Sequence, residues 1–419
     1  MHNELERVEK IIGRINELAS ISEEKTCITR TLGTTAFLEG SRKVLGWMNE
    51  AGLQTSIDNI GNIKGLLPAA NTQAKTLVIA SHIDTVRNAG KFDGPLGVLM
   101  GLDMLEEIKK AKKQFAFHIL LVAFSDEEGV RFHTTYLGSK VLAGSFDKDL
   151  LIKKDEKGIS LQQVISEMGG NSEKIFEDYL HPDYWLGYFE IHIEQGPVLF
   201  ENDIPVALVT SIAGQMRVEL KFKGNAGHAG TVPMNMRQDA LCAASEFIIE
   251  LEKFAGNTNN NVVATVGKLN IPYSASNTIP AEVVCSLDLR SADENSLSFS
   301  SEQIMTFCES IGKKRNIDIE WNLIQQTKPV ICDDKMSEQL ELSIRNAGYP
   351  VLKLVSGAGH DGVAVSVVSP IAMLFVRCYK GISHNPLENV ELKDLAAAIR
   401  VSDIFINRMS GIEWDTWDR

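Results

Sequence analysis

Cysteine is scarce and scattered in this 419-residue chain: Cys27, Cys242, Cys285, Cys308, Cys332 and Cys378 form no Cys-x-x-Cys pair. That excludes a cysteine-built zinc module and suits reduced thiols better than a disulfide framework. Positive charge is also short. With 42 Lys and Arg against 55 Asp and Glu, the formal charge is −13, which argues against nucleic acid or an anionic membrane as partner. No apolar run reaches the roughly 18–20 residues that span a bilayer. The start, Met1-His2-Asn3-Glu4-Leu5-Glu6-Arg7, lacks a basic segment followed by an apolar one, so no secretory leader is expected and the expected location is the cytoplasm. Histidine is rare as well. Only nine occur, which makes their placement informative.

What is present is ordinary for a soluble protein: 44% hydrophobic and 23% charged residues. The length predicts two domains. An amphipathic helix is expected first, with Leu5, Val8, Ile11, Ile12, Ile15 and Leu18 on one face. From about residue 75, apolar runs such as Thr76–Ala80 and His118–Phe124 alternate with a helical pattern, as in an α/β fold with a mixed central sheet flanked by helices. Residues 145–186 read as a polar, helical surface insertion, with Ser160-Leu161-Gln162-Gln163 as a capping box. At Gly214 the pattern changes: Met216, Val218, Leu220 and Phe222 alternate with charged residues, as in a strand with one wet face. A helix over about 235–254, strands near 261–269 and 282–290, a helix over about 294–313 and a strand at Ile317–Leu323 come next. That β-α-β-β-α-β order predicts a ferredoxin-like α+β domain at 213–326, inserted between the two parts, 1–212 and 327–419, of the larger domain.

Five histidines sit in glycine- or carboxylate-rich segments. His82 and Asp84 end an apolar run, with Asp93-Gly94 in a turn behind them. Asp84 is placed to hold the second nitrogen of a metal-bound His82. In Glu190-Ile191-His192-Ile193-Glu194 the three polar side chains share one strand face, which would ordinarily be solvent. Glu127-Glu128 come after an inner strand, where two adjacent carboxylates are costly unless neutralised, although a solvated turn is the plainer reading. A metal hydrolase needs a carboxylate ligand and an unligated one as base, and neighbouring glutamates can divide those roles. Adding His384, in Gly381-Ile382-Ser383-His384-Asn385-Pro386, gives His82, Asp93, Glu128, His192 and His384. Two ions bridged by one carboxylate, about 3.5–4 Å apart, would each receive three protein ligands. Zn, Mn and Co all suit such a set.

These motifs resemble the M20 metallopeptidase-like amidohydrolases, in the branch of allantoate amidohydrolases, N-carbamoyl-L-amino-acid hydrolases and β-alanine synthase. The resemblance spans nearly the whole chain, from His82-x-Asp84 to His384-Asn385-Pro386. It implies that His82 and His192 hold one ion, Glu128 and His384 the other, with Asp93 bridging and Glu127 as general base. It also implies a homodimer formed through the inserted domain, which would act as a lid. His228, otherwise readable as a surface-loop histidine, would then stabilise the oxyanion in the partner's site. Asn277 and Arg290 resemble the family's grip on a substrate carboxylate, with Gln195 and Gln215 as further contacts, while His360 either binds substrate or supports its loop. The implied substrate is a small carboxylate-bearing ureido compound: allantoate first, an N-carbamoyl-L-amino acid or β-ureidopropionate second. An exopeptidase is disfavoured because peptidases of the superfamily usually carry a carboxylate where His192 stands. A metal-free binding relative is disfavoured because every expected ligand is present.

Overall fold

The runs Thr76–His82 and His118–Phe124 form adjacent parallel strands, with Thr76 opposite His118 and His82 opposite Phe124. Every residue of the first is buried, as a strand covered on both faces requires. Trp185–Ile193 lies parallel on its other side, and Ile371–Val376 parallel beyond that. Antiparallel strands flank these four. Ile63–Leu67 and then Gln54–Ile57 lie beyond His118–Phe124, and Val206–Ile212 lies beyond Ile371–Val376. The central sheet is therefore mixed. The structure is a computed structural model and describes residues 2–410.

Helix Pro95–Lys110 packs on the two central strands and begins with proline, whose missing N–H costs nothing at a helix start. Helices His2–Ala19 and Leu392–Met409 pack against it and against each other. In the first, Val8, Ile11, Ile15 and Leu18 are buried, but Ile12 is only half-buried and Leu5 is 50% exposed, so the expected stripe is narrower than its sequence pattern. Arg377, just past Val376, makes a buried two-pronged ion pair with Asp394, at 2.9 Å through Nε and 2.5 Å through its NH2 nitrogen. That pair fixes the start of the loop carrying His384. Within 145–186, Ser160 caps helix Leu161–Glu167 by accepting the Gln163 N–H at 3.2 Å. The Gln163 side chain turns instead to Glu167, so only half of the capping box forms.

The chain forms two compact units: the larger one runs to Thr210 and includes Cys332–Leu354 and the chain from Gly359, and the smaller one is Ser211–Ile331 with Val355–Ala358. In the smaller unit an antiparallel sheet is ordered Leu269–Asn270, Glu282–Ser291, Gly214–Lys223, Asp318–Thr327, with Val263–Thr265 also pairing Glu282–Ser291. Helices Ala240–Gly256 and Glu294–Arg315 cover the core built on Val218, Leu220, Phe222, Val283, Leu287 and Leu289. The first helix starts later than its sequence pattern suggests. Pro233 and the tight turn Met234–Met236 precede it, and Asp239 caps it by accepting the N–H groups of Leu241 and Cys242. Among the described residues no helix is long and apolar enough to cross a membrane.

Candidate metal centre and active site

Four neighbouring parallel strands end on the same side of the sheet, where open α/β folds place their sites. His82 is the last residue of its strand, Glu127 and Glu128 come just after the strand ending at Phe124, His192 is next to last in Trp185–Ile193, and His384 lies in the loop beyond Val376. Asp93 enters from the turn before helix Pro95–Lys110. Gly94 there has φ 83° and lies so close under the His82 ring that a Cβ would fall 2.5 Å from it. Glycine is required on both counts.

Asp93 is the hub. Its Oδ1 lies 3.1 Å from His192 Nε2 and 3.8 Å from His82 Nε2, and its Oδ2 lies 3.0 Å from His384 Nε2. His384 Nε2 is in turn 3.4 Å from Glu128 Oε1. Two three-residue ligand groups result, His82–Asp93–His192 and Asp93–Glu128–His384, with Asp93 common to both. His82, Glu127 and Glu128 form a third. Ligands about 2.0–2.1 Å from one tetrahedral ion stand roughly 3.3 Å apart, so the observed spacings suit shared ions. Asp93 Oδ1 supports the same fit: it is buried and accepts no hydrogen bond, although two ring nitrogens face it. Atoms aimed at a common centre rather than at each other behave this way. The donor set of imidazoles and carboxylates, without thiolate, fits Zn, Mn or Co.

The histidines are held by their far nitrogens. His82 Nδ1 contacts the Asp84 carbonyl oxygen at 3.1 Å and His192 Nδ1 the Ile193 carbonyl at 2.9 Å, leaving each Nε2 toward Asp93. The Asp84 carboxylate stands 3.4 Å from His82 but has a second task that its sequence position does not suggest. It accepts the backbone N–H groups of Glu127 at 3.0 Å and Glu128 at 3.1 Å, fixing the glutamate turn. Behind it lies the fully buried Arg30, which donates to the Ile83 carbonyl at 2.8 Å and places positive charge by Asp84. Gln195, expected at the substrate, donates here to Asp93 Oδ2 at 2.8 Å. Gln195 and His384 both hold left-handed backbone, at φ 56° and 52°, a conformation that costs a non-glycine residue energy and that surrounding contacts must impose. Glu190 and Glu194 are buried rather than solvated. Glu190 accepts from the Tyr188 hydroxyl at 2.9 Å, and Glu194 caps the N–H groups of Val198 and Leu199 at 2.8 Å.

Burial and charge set the protonation of these groups. Burial pushes the Glu127 carboxyl well up, against the pull of His82. Burial alone would depress His82, but Asp84, Glu127 and Asp93 outweigh it and hold the imidazole well above its ordinary value. Hydrogen bonding to Asp93 and Glu128 raises His384 to about 10. Burial, reinforced by His192, holds His360 well below the histidine range, so that ring stays neutral. His360 is buried with its ring 4.5 Å from that of His192, edge to face.

Two residues absent from the sequence-derived set belong to the centre. Glu388 is buried and accepts the N–H groups of Phe92 and Asp93, and burial, with Asp93 nearby, raises its carboxyl to about 7. Ser383 Oγ lies 3.0 Å from both Asp93 Oδ2 and Glu388 Oε2. Only the position of Ser383 beside His384 signalled it; for Glu388 the sequence carried no signal.

In the smaller unit, Gly227–His228 pairs with Thr278–Ile279, and Ala229 N–H bonds the Asn277 carbonyl at 2.9 Å, so exposed His228 and Asn277 stand together. His228 Nδ1 accepts the Gly230 N–H at 3.1 Å, which leaves the ring proton on Nε2. Arg290 and Gln215 meet at Asp288: Arg290 through Nε at 2.7 Å and its NH2 nitrogen at 3.0 Å, Gln215 through Nε2 at 2.7 Å. The Nε edge of the Arg290 fork is thus committed within the protein, and its NH1 nitrogen donates to the Gly357 carbonyl at 2.5 Å.

A mixed sheet presenting paired ligand groups around one shared carboxylate, beside a buried glutamate of raised pKa, defines a hydrolase with candidate metal-binding residues. The chain belongs to the Peptidase family M20/M25/M40, which its residues 78–408 match. It is similar to allantoate deiminase 2 of Glycine max, at 36% identity over 96% of this chain and 89% of that protein. It is also similar to an N-carbamoyl-L-amino acid amidohydrolase of Geobacillus stearothermophilus, at 35% identity over 94% of this chain and 96% of that one. A crystal structure of AtUAH in complex with (S)-hydroxyglycine superposes with a TM-score of 0.82 at 29% identity, covering 97% of this chain and 98% of that one. The enzyme is an amidohydrolase of the non-peptide branch.

Proposed function

We propose that the enzyme hydrolyses a ureido carbon–nitrogen bond, with allantoate as substrate and ureidoglycine, ammonia and carbon dioxide as products. The observation that carries this is Asp93 shared between two ligand groups, with Glu127 adjacent and outside both. The similarity to allantoate deiminases supports the substrate. A second reading, an N-carbamoyl-L-amino acid or β-ureidopropionate as substrate, is favoured by the nearly equal similarity to a carbamoyl-amino-acid amidohydrolase. His82 and His192 would hold one divalent ion and Glu128 and His384 the other, with Asp93 between them. Such a pair of ions, when bound, polarises the scissile carbonyl and acidifies the attacking water. Glu127 takes that water's proton and returns it to the leaving nitrogen. His228 donates a hydrogen bond from its Nε2–H to the developing oxyanion. Arg290, steadied by Asp288, grips the substrate carboxylate with Asn277 and Gln215. The free state of all six cysteines supports a cytoplasmic setting.

The substrate is tested by assaying manganese-loaded enzyme for ammonia from allantoate, with N-carbamoyl-L-amino acids and β-ureidopropionate in parallel. Ammonia from allantoate at the highest kcat/KM is the expected result, and turnover confined to carbamoyl amino acids would favour the second reading.

We further propose that the smaller unit is a lid and dimerisation domain, so that a second copy of the chain supplies His228, Asn277 and Arg290. Mixed His228→Ala and Glu127→Gln proteins should then recover up to roughly a quarter of wild-type turnover, because half the dimers are mixed and each has one intact site. No recovery after verified subunit exchange would place His228 in its own subunit's site or outside catalysis.

A further inference from the structure

We infer that Glu388 is a positioning residue for the metal centre, holding the loop of the shared Asp93 and the loop of His384 in register; this rests on the two-ion reading of the site. Asp93 can serve both ligand groups only if its turn and the His384 loop keep a fixed relation, yet the two segments lie far apart in sequence. Glu388 joins them. Its Oε1 accepts the Phe92 N–H at 2.7 Å and the Asp93 N–H at 3.1 Å. Its Oε2 accepts from the Ser383 hydroxyl at 3.0 Å, and that hydroxyl also lies 3.0 Å from Asp93 Oδ2. Ser383 immediately precedes His384, so one buried carboxylate spans the two loops that feed both groups. The turn is shaped around it: a Cβ at Gly90 would fall 2.2 Å from the Glu388 carboxyl carbon. The carboxylate itself appears in none of the ligand groups among the described residues, which separates positioning from coordination.

Outer partners of metal ligands typically set affinity by about 10–100-fold. Calorimetric titration of metal-stripped protein with manganese should therefore show Glu388→Ala binding both ions roughly 10–100-fold more weakly, with the circular dichroism and melting of the metal-free protein little changed. Glu388→Gln keeps an oxygen for both N–H groups and should recover most of the affinity. Ser383→Ala, which cuts the link to Oε2 and the contact with Asp93 Oδ2 but leaves Glu388 on the Phe92 and Asp93 N–H groups, should lose roughly threefold to tenfold. If wild-type protein binds fewer than two ions, the two-ion reading fails and this inference with it. If wild type binds two and Glu388→Ala binds them equally tightly, Glu388 is not a positioning residue and the two-ion reading stands. A Gln variant as weak as Ala contradicts the hydrogen-bonding role. Should Glu388→Ala not fold, unchanged affinity in Ser383→Ala overturns the inference by itself.

Discussion

Glu127→Gln should bind manganese as the wild-type protein does and release ammonia about 10²–10⁴-fold more slowly, the usual cost of losing a general base. Glu127 is buried, its carboxyl is pushed well up, and it stands with His82 and Glu128 but outside both groups that contain Asp93. The amide preserves shape and still accepts hydrogen bonds, yet it cannot take a proton from the attacking water. Glu128→Gln is the control. Glu128 lies 3.4 Å from His384 and shares a ligand group with Asp93, so that variant should lose metal. Metal analysis beside steady-state kinetics separates the two, and the reverse pattern of metal content would mean that the roles are exchanged.

Asp93→Ala should abolish turnover and deplete both ions. Its two oxygens face different halves of the site, Oδ1 toward His82 and His192, Oδ2 toward His384. Removing them leaves each half two protein ligands of its original three. His82→Ala should differ in kind, weakening one half while Asp93, Glu128 and His384 remain. Metal content by atomic spectrometry after exhaustive dialysis reads both variants. One tightly held ion and measurable turnover in Asp93→Ala would show that the halves are independent.

Much of this candidate site was legible because its candidate ligands stand at the ends of apolar runs. A run such as Thr76–His82 must be an inner strand, and the residues just beyond its end must lie at the sheet's edge. The partnership of Asp84 with the Glu127–Glu128 turn was not legible, because only the parallel register, with His82 opposite Phe124, brings the two strand ends side by side. Glu388 was not legible. Its partners Phe92 and Asp93 come from the other end of the chain, and no periodicity links an acid after Asn385-Pro386 to a turn before the Pro95 helix. Gln195 and Arg290 show a related limit. Residue type announces a polar contact, but only packing shows that Gln195 donates to Asp93 and that Asp288 takes the Nε edge of Arg290. Glu190 was ambiguous for another reason: strand alternation puts it on the His192 face without saying that the face is buried.

The most direct measurement is ammonia release from allantoate by metal-stripped enzyme as manganese is added back in counted equivalents. A two-ion amidohydrolase is silent without metal and reaches its plateau at two ions per subunit. Full turnover in the stripped protein, or a plateau at one ion, would contradict it.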